Sequence, residues 1–510
     1  MPRGTEKLPL TITPGGVRED LNPAAIPEGS LLASNNWLTR RGVGGPRPGY
    51  EQLGTTLAAG DRILGFGTRG SPAGTTEFVV HTLTAGYEWD GSSFTAITGT
   101  WTTSVAGQHV RMISYVSSGT TWLLRTNLAN AIDKWDGAAA AFVDATGAVA
   151  FRDICSVGGY VLGVYPAGFE HRVRWNDQED IDSWTSTNIA DLDATPDHMI
   201  GAKPFGPLSA GIYKEDSVWT AVLQAAKQPF QFQLISHVPG PLSPAALIAY
   251  RGSHYWLADD SVIYRSDGAH VEPFATGVPA TFRAYLDWDN RLQAHAFVLA
   301  EEEPIVMFVY PVLGGTIDRA ISVNLVTGAC NPHQFGHSIS ASAQWIRVAE
   351  VTIDELTGTI DGLSSSYATI DAMGTSKNSS DILGGTTGKV YQFGQPADDD
   401  GTAIAWSLTH GWRALAGLGF RFFLDGIVSY WKKLSVSHTV TVGVTVTDSL
   451  GDADSESTDT FDLSTDSQHL ETFSNLRGQW IKVRFSGSSS VAGIEHRGAA
   501  ALGWRRGMGA

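Results

Sequence analysis

The chain has little cysteine, little methionine and a deficit of basic charge, and it contains no long apolar run. Its two cysteines, Cys155 and Cys330, stand far apart, with no CxxC pair and no His/Cys cluster at zinc spacing. A disulfide between them stays open, but no disulfide framework or zinc ribbon organises such a fold. No apolar stretch reaches the roughly 18 residues a membrane-spanning helix needs. The opening MPRGTEKLPLTITPGG lacks the apolar core of a signal peptide, so synthesis in a cytoplasm is expected. Lysine and arginine number 35 against 52 aspartates and glutamates, a net charge of −17. That balance argues against a surface built to grip phosphate backbones, though not against a conduit through which DNA slides without sticking. Also absent are the GxSxG elbow, HExxH, the Walker A loop and a GxGxxG turn after a strand.

What the chain does have is periodic. At 510 residues it has room for two to four domains, or for one large β domain plus a smaller one. Its 57 glycines and 16 tryptophans favour β structure with many tight turns. YEWDGSSFTAIT from Tyr87 and IDKWDGAAAAFVDATG from Ile132 share one plan: a short alternating strand, a Trp-Asp-Gly turn, and a strand opening on Phe94 or Phe142. Asp-Gly suits a tight hairpin in which both central residues tolerate positive φ. Trp89, Trp135, Trp175, Trp219 and Tyr264 follow one another at intervals of 46, 40, 44 and 45 residues. That period, with about four strand-length runs in each, predicts the blades of a β-propeller with aromatic side chains packed between neighbouring sheets. Weaker units at 320–335 and 388–401 bring the expectation to six blades, within a range of five to seven, the last unit closing the ring. Helix is expected only briefly, after Pro244 and within Pro279–Gln293.

Beyond QPADDDGTAI the texture changes. HTVTVGVTVTDS (His438 to Ser449) and LETFSNLRGQWIKVRFSG (Leu470 to Gly487) alternate Val, Thr and Ile as half-buried antiparallel strands do. The acidic stretch between them, 448–466, is expected to be a solvated hairpin tip, with a Ca²⁺ site at Asp452, Asp454 and Glu456 as the sharper alternative. The fold class is therefore all-β: an extended N-terminal arm over 1–50, a propeller over 51–402, and a C-terminal β-sandwich of jelly-roll character over 403–510.

Candidate chemistry is sparse. His333 and His337 share a metal-like spacing only on a helix, and Asn331-Pro332 and Gly336 predict a loop there. Asp177, Glu179, Asp180 and Asp182 crowd into WNDQEDIDSW, where nothing distinguishes a general acid from its ionised partner. No catalytic residue, cofactor or metal is expected.

The stretch IPEGSLLASNNWLTRRGVGGPRPGY (Ile26 to Tyr50) is neither helix-periodic nor a clean strand. It resembles the opening segment of the tail nozzle and tail hub proteins of short-tailed bacteriophages, where a Pro/Gly-rich arm leads to an RPGY-type turn before the first propeller strand. Trp37 departs from the pattern, since many members carry Arg there. RWNDQEDIDSW (Arg174 to Trp184), HVPGPLSPAALIAYRGSHYWLADDSVIYRSDG (His237 to Gly268) and NLRGQWIKVRFSG near the C-terminus are similar to further blocks of that family, in order. The resemblance implies a non-enzymatic virion subunit, made in the host cytoplasm and placed in the tail. There a homo-oligomeric ring, typically of six copies, would continue the DNA-ejection channel between subunits. Portal or adaptor proteins and tail fibres or spikes would be its partners, with double-stranded DNA passing transiently and no membrane insertion.

In that role Arg40, Arg41 and Arg47 would form an assembly surface against a neighbouring subunit, with Asn35 and Asn36 setting the turn. The acidic stretch and the Asp398-Asp399-Asp400 run would face the channel or the tail tip. Two other expectations compete with this one. A tail-associated propeller enzyme or lectin acting on host glycans would put paired carboxylates or aromatic residues in the axial mouth. A host propeller scaffold would recruit other proteins.

Overall fold

The computed structural model describes the chain except for residues 1–5, 11–15, 20, 23–24, 28–29, 41–42, 59, 71–75, 100, 102–107, 226–227, 276, 300–302, 349–376, 395–397, 415–419, 449–455, 490–493 and 508–510. It is all-β apart from short turns of helix, Pro244–Ala246, Thr281–Tyr285 and Arg291–Gln293, in the two places the sequence suggested.

Six four-stranded antiparallel sheets follow one another along the chain, each a simple meander: blade 1 over 63–97, blade 2 over 111–144, blade 3 over 151–191, blade 4 over 199–236, blade 5 over 247–275 and blade 6 over 295–334. The first strand of each is innermost and touches the first strands of its neighbours. The six expected propeller blades are thus present as continuous segments. A further four-stranded wedge sits between blades 6 and 1 and closes the ring: Ile339–Val348, Lys377–Gly385 and Val390–Phe393, completed by Tyr50–Gln52 from the N-terminal segment. Counting this composite blade 7, the ring has seven sheets, the upper end of the expected range. Closing it with a strand from the other end of the chain ties the first described residues of the propeller to the last.

The recurring aromatics explain why the wedges fit. Trp89, Trp135, Trp175, Trp219 and Tyr264 all stand on the third strand of their blades, paired with Phe78, Leu123, Leu162, Ile212 and Trp256 of the second strand. All five are buried. Trp89 packs with Trp345, Ile382 and Val390 of blade 7, Trp135 with Val79 of blade 1, and Tyr264 with Tyr213 of blade 4. Each ring fills the angular gap between two twisted sheets, which small side chains would leave as a void.

In the Asp-Gly turns only the glycine takes positive φ, as at Gly91, Gly137 and Gly268. The aspartate acts instead through its carboxylate: Asp90, Asp136 and Asp267 each accept two backbone N–H groups of the following turn.

The C-terminal region forms two facing sheets. One contains Trp37–Arg40, Val43–Pro46, His496–Gly507, Phe420–Trp431 and Gln468–Gly478, with Glu6–Leu10 at an edge. The other contains Leu31–Asn35, Thr402–His410, Trp480–Ser489, Thr439–Thr447 and Ser457–Asp462. Their shared core holds Trp37, Trp406, Trp431, Val442, Val483 and Phe485. Two expectations change here. The N-terminal segment is not a separate arm, because four of its strands pair inside the sandwich. The acidic stretch is not all loop either, because Ser457–Asp462 pairs with Thr439–Val444 and buries Phe461.

The two domains are welded together. Asp398–Asp399 pairs with both Tyr50 and Thr402–Ala403, so blade 7 and one sandwich sheet run as a single hydrogen-bonded sheet. On the adjacent blade 6, Asn36 N–H donates to the Pro332 carbonyl and Asn331 Nδ2 donates to Thr39 Oγ1.

Candidate functional site

Two of the residues expected to form an assembly surface, Asn36 and Arg47, meet each other, but inward. Arg47 is 2 % exposed and its guanidinium is fully engaged. Its two terminal nitrogens bind Asp399 Oδ1 at 2.8 Å and Oδ2 at 2.5 Å, and they also reach the Pro48 and Gln334 carbonyls. Nε donates to Asn36 Oδ1 at 3.0 Å, and the cation lies 4.6 Å from the centre of the Phe335 ring. Asn36, in a left-handed conformation at φ 52°, accepts from Gln334 N–H as well and donates to the Ala405 carbonyl. Asp399 accepts the Gly336 N–H at 2.7 Å. Arg47 and Asn36 therefore lock N-terminal segment, blade 6 and sandwich together rather than meeting another subunit. Burial forces this outcome, since a buried cation needs a carboxylate and full hydrogen bonding.

Two neighbours complete the joint. A Cβ on Gly49 would lie 1.8 Å from the Asp398 carbonyl oxygen, so only glycine lets the two backbones meet. Tyr50 joins both kinds of contact: its hydroxyl lies 3.1 Å from His337 Nδ1, and its ring packs on Tyr391 and Phe335. The remaining candidates differ. Arg40 and Asn35 are half-buried on sandwich strands, and Arg41 lies outside the described residues. Asp399 does not face a channel, and Asp400 pairs with Lys389.

The other sequence candidates are occupied by structure. His333 is buried on blade 6 against Ser322, while His337 faces Tyr50, so they form no metal pair. Asp177 accepts from Ser183, Thr185 and Asn188, and these hydrogen bonds, led by Ser183, hold its carboxyl below the usual range. Asp182 binds Lys134, and Glu179 sits in a left-handed turn at φ 57°. Glu456 pairs with Arg484, while Asp452 and Asp454 lie outside the described residues. Cys155 and Cys330 are both free and buried, on blades 3 and 6.

Propellers commonly present ligands at the mouth of the central axis, which is one end of the seven inner strands. Here described side chains at and just ahead of the starts of those strands meet one another. Arg62 donates to Gln293 Oε1 at 2.7 Å, and His109 and His295 approach across the axis with ring centres 5.9 Å apart. Burial, then the charges of Arg62 and Arg111, pulls His109 down to about 4. Burial likewise holds His295 well below its ordinary value, so both rings are neutral near pH 7. The cavity bounded by Gln108, His109, Arg152, Pro244 and Leu292 measures about 10 Å³, space for about one water. Away from the axis, a groove of about 510 Å³ runs along the outer edges of blades 3 and 4, beside Asp191, Asp193, Phe230 and Gln231. Nothing in the sequence marked this cluster, because its members are scattered across blades 1, 2, 3, 5 and 6.

No family model matches the chain, and no curated protein matches it. Among solved structures, a catalytically inactive variant of virginiamycin B lyase from Staphylococcus aureus, solved with quinupristin, is similar in fold. The TM-score is 0.41 at 11% identity, over 68% of this chain and 99% of that one. This is a likeness of propeller architecture and says nothing about chemistry. Among the described residues, no helix is long and apolar enough to cross a membrane.

Proposed function

We propose that the chain is a structural subunit of a short-tailed bacteriophage tail, a nozzle or hub protein that assembles as a ring around the DNA-ejection channel. The observation that carries this reading is the crowding of described side chains at the axial mouth. The cavity bounded by Gln108, His109, Arg152, Pro244 and Leu292 at the mouth has room for about one water, which favours a rigid building block over an axial enzyme or lectin. DNA would then pass between subunits. The sequence block that resembles tail proteins, ending PRPGY, is also the one that welds propeller to sandwich through Arg47, Gly49 and Tyr50. A ring under ejection forces needs such a joint.

Exposed apolar side chains supply contact surface. Tyr285, Trp288 and Leu313 sit close together ahead of and within blade 6, and the Leu313 N–H bonds to the Tyr285 carbonyl. An apolar patch of this kind suits packing between copies. The net charge of −17 would keep DNA from sticking as it leaves.

Electron microscopy of the purified full chain, alone and mixed with a portal–adaptor complex, tests the reading. Closed rings of identical copies are expected. A stable monomer in both samples, together with turnover or capture of a bacterial polysaccharide, would replace it with the glycan-directed alternative, for which the outer groove of blades 3 and 4 is the place to look.

A further inference from the structure

We propose that Glu170, His171 and His198 form a binding site for a divalent transition metal of the zinc type, at the seam between blades 3 and 4. It does not depend on the tail assignment. Glu170 and His171 lie in the turn before the third strand of blade 3, Arg172–Trp175, and His198 directly precedes the first strand of blade 4, Met199–Gly206. Both positions fall at the same end of the meander, beside the axial mouth. One potential ligand atom from each residue lies within 4.8 Å of the other two.

The backbone places these residues before any metal arrives. Met199 N–H donates to the Glu170 carbonyl, Leu192 N–H to that of His171, and Glu215 N–H to that of His198. Two of the side chains are also oriented by a hydrogen bond to a second group. His171 Nδ1 meets the Asp197 carbonyl at 3.1 Å, which puts the proton there and leaves the Nε2 lone pair free. The Tyr165 hydroxyl donates to Glu170 Oε1 at 3.0 Å, leaving Oε2 to bind. His198 Nδ1 faces Glu215 Oε2 across 4.0 Å, and Arg291 holds that carboxylate at 3.0 Å. Ligand histidines in metal sites characteristically turn their second nitrogen to a carbonyl or carboxylate, as His171 does here.

His198 Nε2 lies 2.7 Å from Glu170 Oε2, within hydrogen-bond distance. Tetrahedral zinc, with bonds of about 2.0–2.1 Å, sets ligand atoms roughly 3.3 Å apart, so an opening of about half an ångström admits it. Both side chains are 42% exposed, which gives the ion a path in. Two imidazoles and one carboxylate favour zinc and its transition-metal neighbours over magnesium or calcium, which prefer all-oxygen shells. Three protein ligands leave a coordination position for water or an anionic ligand.

The test uses the full chain, stripped with a chelator, desalted and titrated calorimetrically with Zn²⁺. One equivalent per chain should bind. The H171A/H198A double variant should bind at least 100-fold more weakly, and Y165F, which keeps its ring packing, about 10-fold more weakly. Co²⁺ should give the intense visible absorption of a tetrahedral site in the wild type and lose it in E170Q. Melting of each variant in chelator should match the wild type, and Zn²⁺ should raise the wild-type midpoint most, that of Y165F less, and that of H171A/H198A not at all. No tight equivalent in the wild type, or an unchanged titration in H171A/H198A, overturns the proposal. If the double variant fails to fold, Y165F and E170Q decide, and wild-type affinity in both overturns it equally.

Discussion

Replacing Arg47 with methionine should destabilise the fold itself rather than merely its assembly. The side chain is fully buried, and its partner Asp399 is 3% exposed. Methionine removes five donated hydrogen bonds, two of them to the carboxylate. Asp399 would keep only its bond from Gly336 N–H among those described, and the Gln334 carbonyl would lose a donor. Stranding a buried charge in this way costs about 3–5 kcal/mol. Converting Asp399 to asparagine in the same chain removes the stranded charge, so R47M/D399N should recover a good part of that loss, and the cycle isolates the coupling. R47K should fall between, because an ammonium cannot reproduce the planar two-pronged contact. Urea unfolding followed by tryptophan fluorescence, with calorimetry in parallel, reads the change. Since the pair lies at the weld, R47M should also split propeller and sandwich into separate transitions. An R47M chain within about 0.5 kcal/mol of the wild type, with one unchanged transition but failed assembly, would refute this and restore Arg47 to an intersubunit surface.

Other outcomes follow from the same structure. G49A should destabilise comparably, because its methyl would meet the Asp398 carbonyl, and thermal melting checks it. W135A, which empties the gap between blades 1 and 2, should cost about 3–5 kcal/mol in denaturant unfolding, whereas the exposed V143A should change almost nothing. Burial lowers His410 to about 4 and holds His496 well below its ordinary value, so both enter the sandwich core neutral. The unfolded chain then binds more protons than the folded one below about pH 6.5, and stability present above that pH is lost as pH falls towards 4. Each such histidine should remove about 2 kcal/mol by pH 5, and H410F should flatten the profile measured by urea unfolding at stepped pH.

The legible parts of the fold were those whose signal repeats locally. Trp89, Trp135, Trp175, Trp219 and Tyr264 announce blades because every sheet needs the same bulky filler on its third strand. Blade 7 was only half visible, since its outer strand comes from Tyr50–Gln52, more than 330 positions before the strand it pairs with. The N-terminal segment looked like a free arm because its strands are four or five residues long, too short for alternation to register, and most of their partners lie hundreds of residues away. Arg47 read as a contact to a neighbouring subunit because arginine is enriched at such surfaces and no carboxylate stands near it in sequence. The one hint of its partner was an unusual run of three aspartates at 398–400, which reads equally well as an exposed loop. His171 and His198 carry no spacing signal, because the fold, not the local sequence, brings them together.

The most direct test of the proposed tail role is a cryo-electron microscopy reconstruction of the purified chain bound to a portal–adaptor complex and, if it is a virion protein, of the particles that carry it. Density for the welded propeller and sandwich should repeat around the DNA channel in a closed ring, with each propeller's own axis filled. Particles whose tail contains no such ring, or a chain whose propeller axis itself forms the conduit, would contradict it.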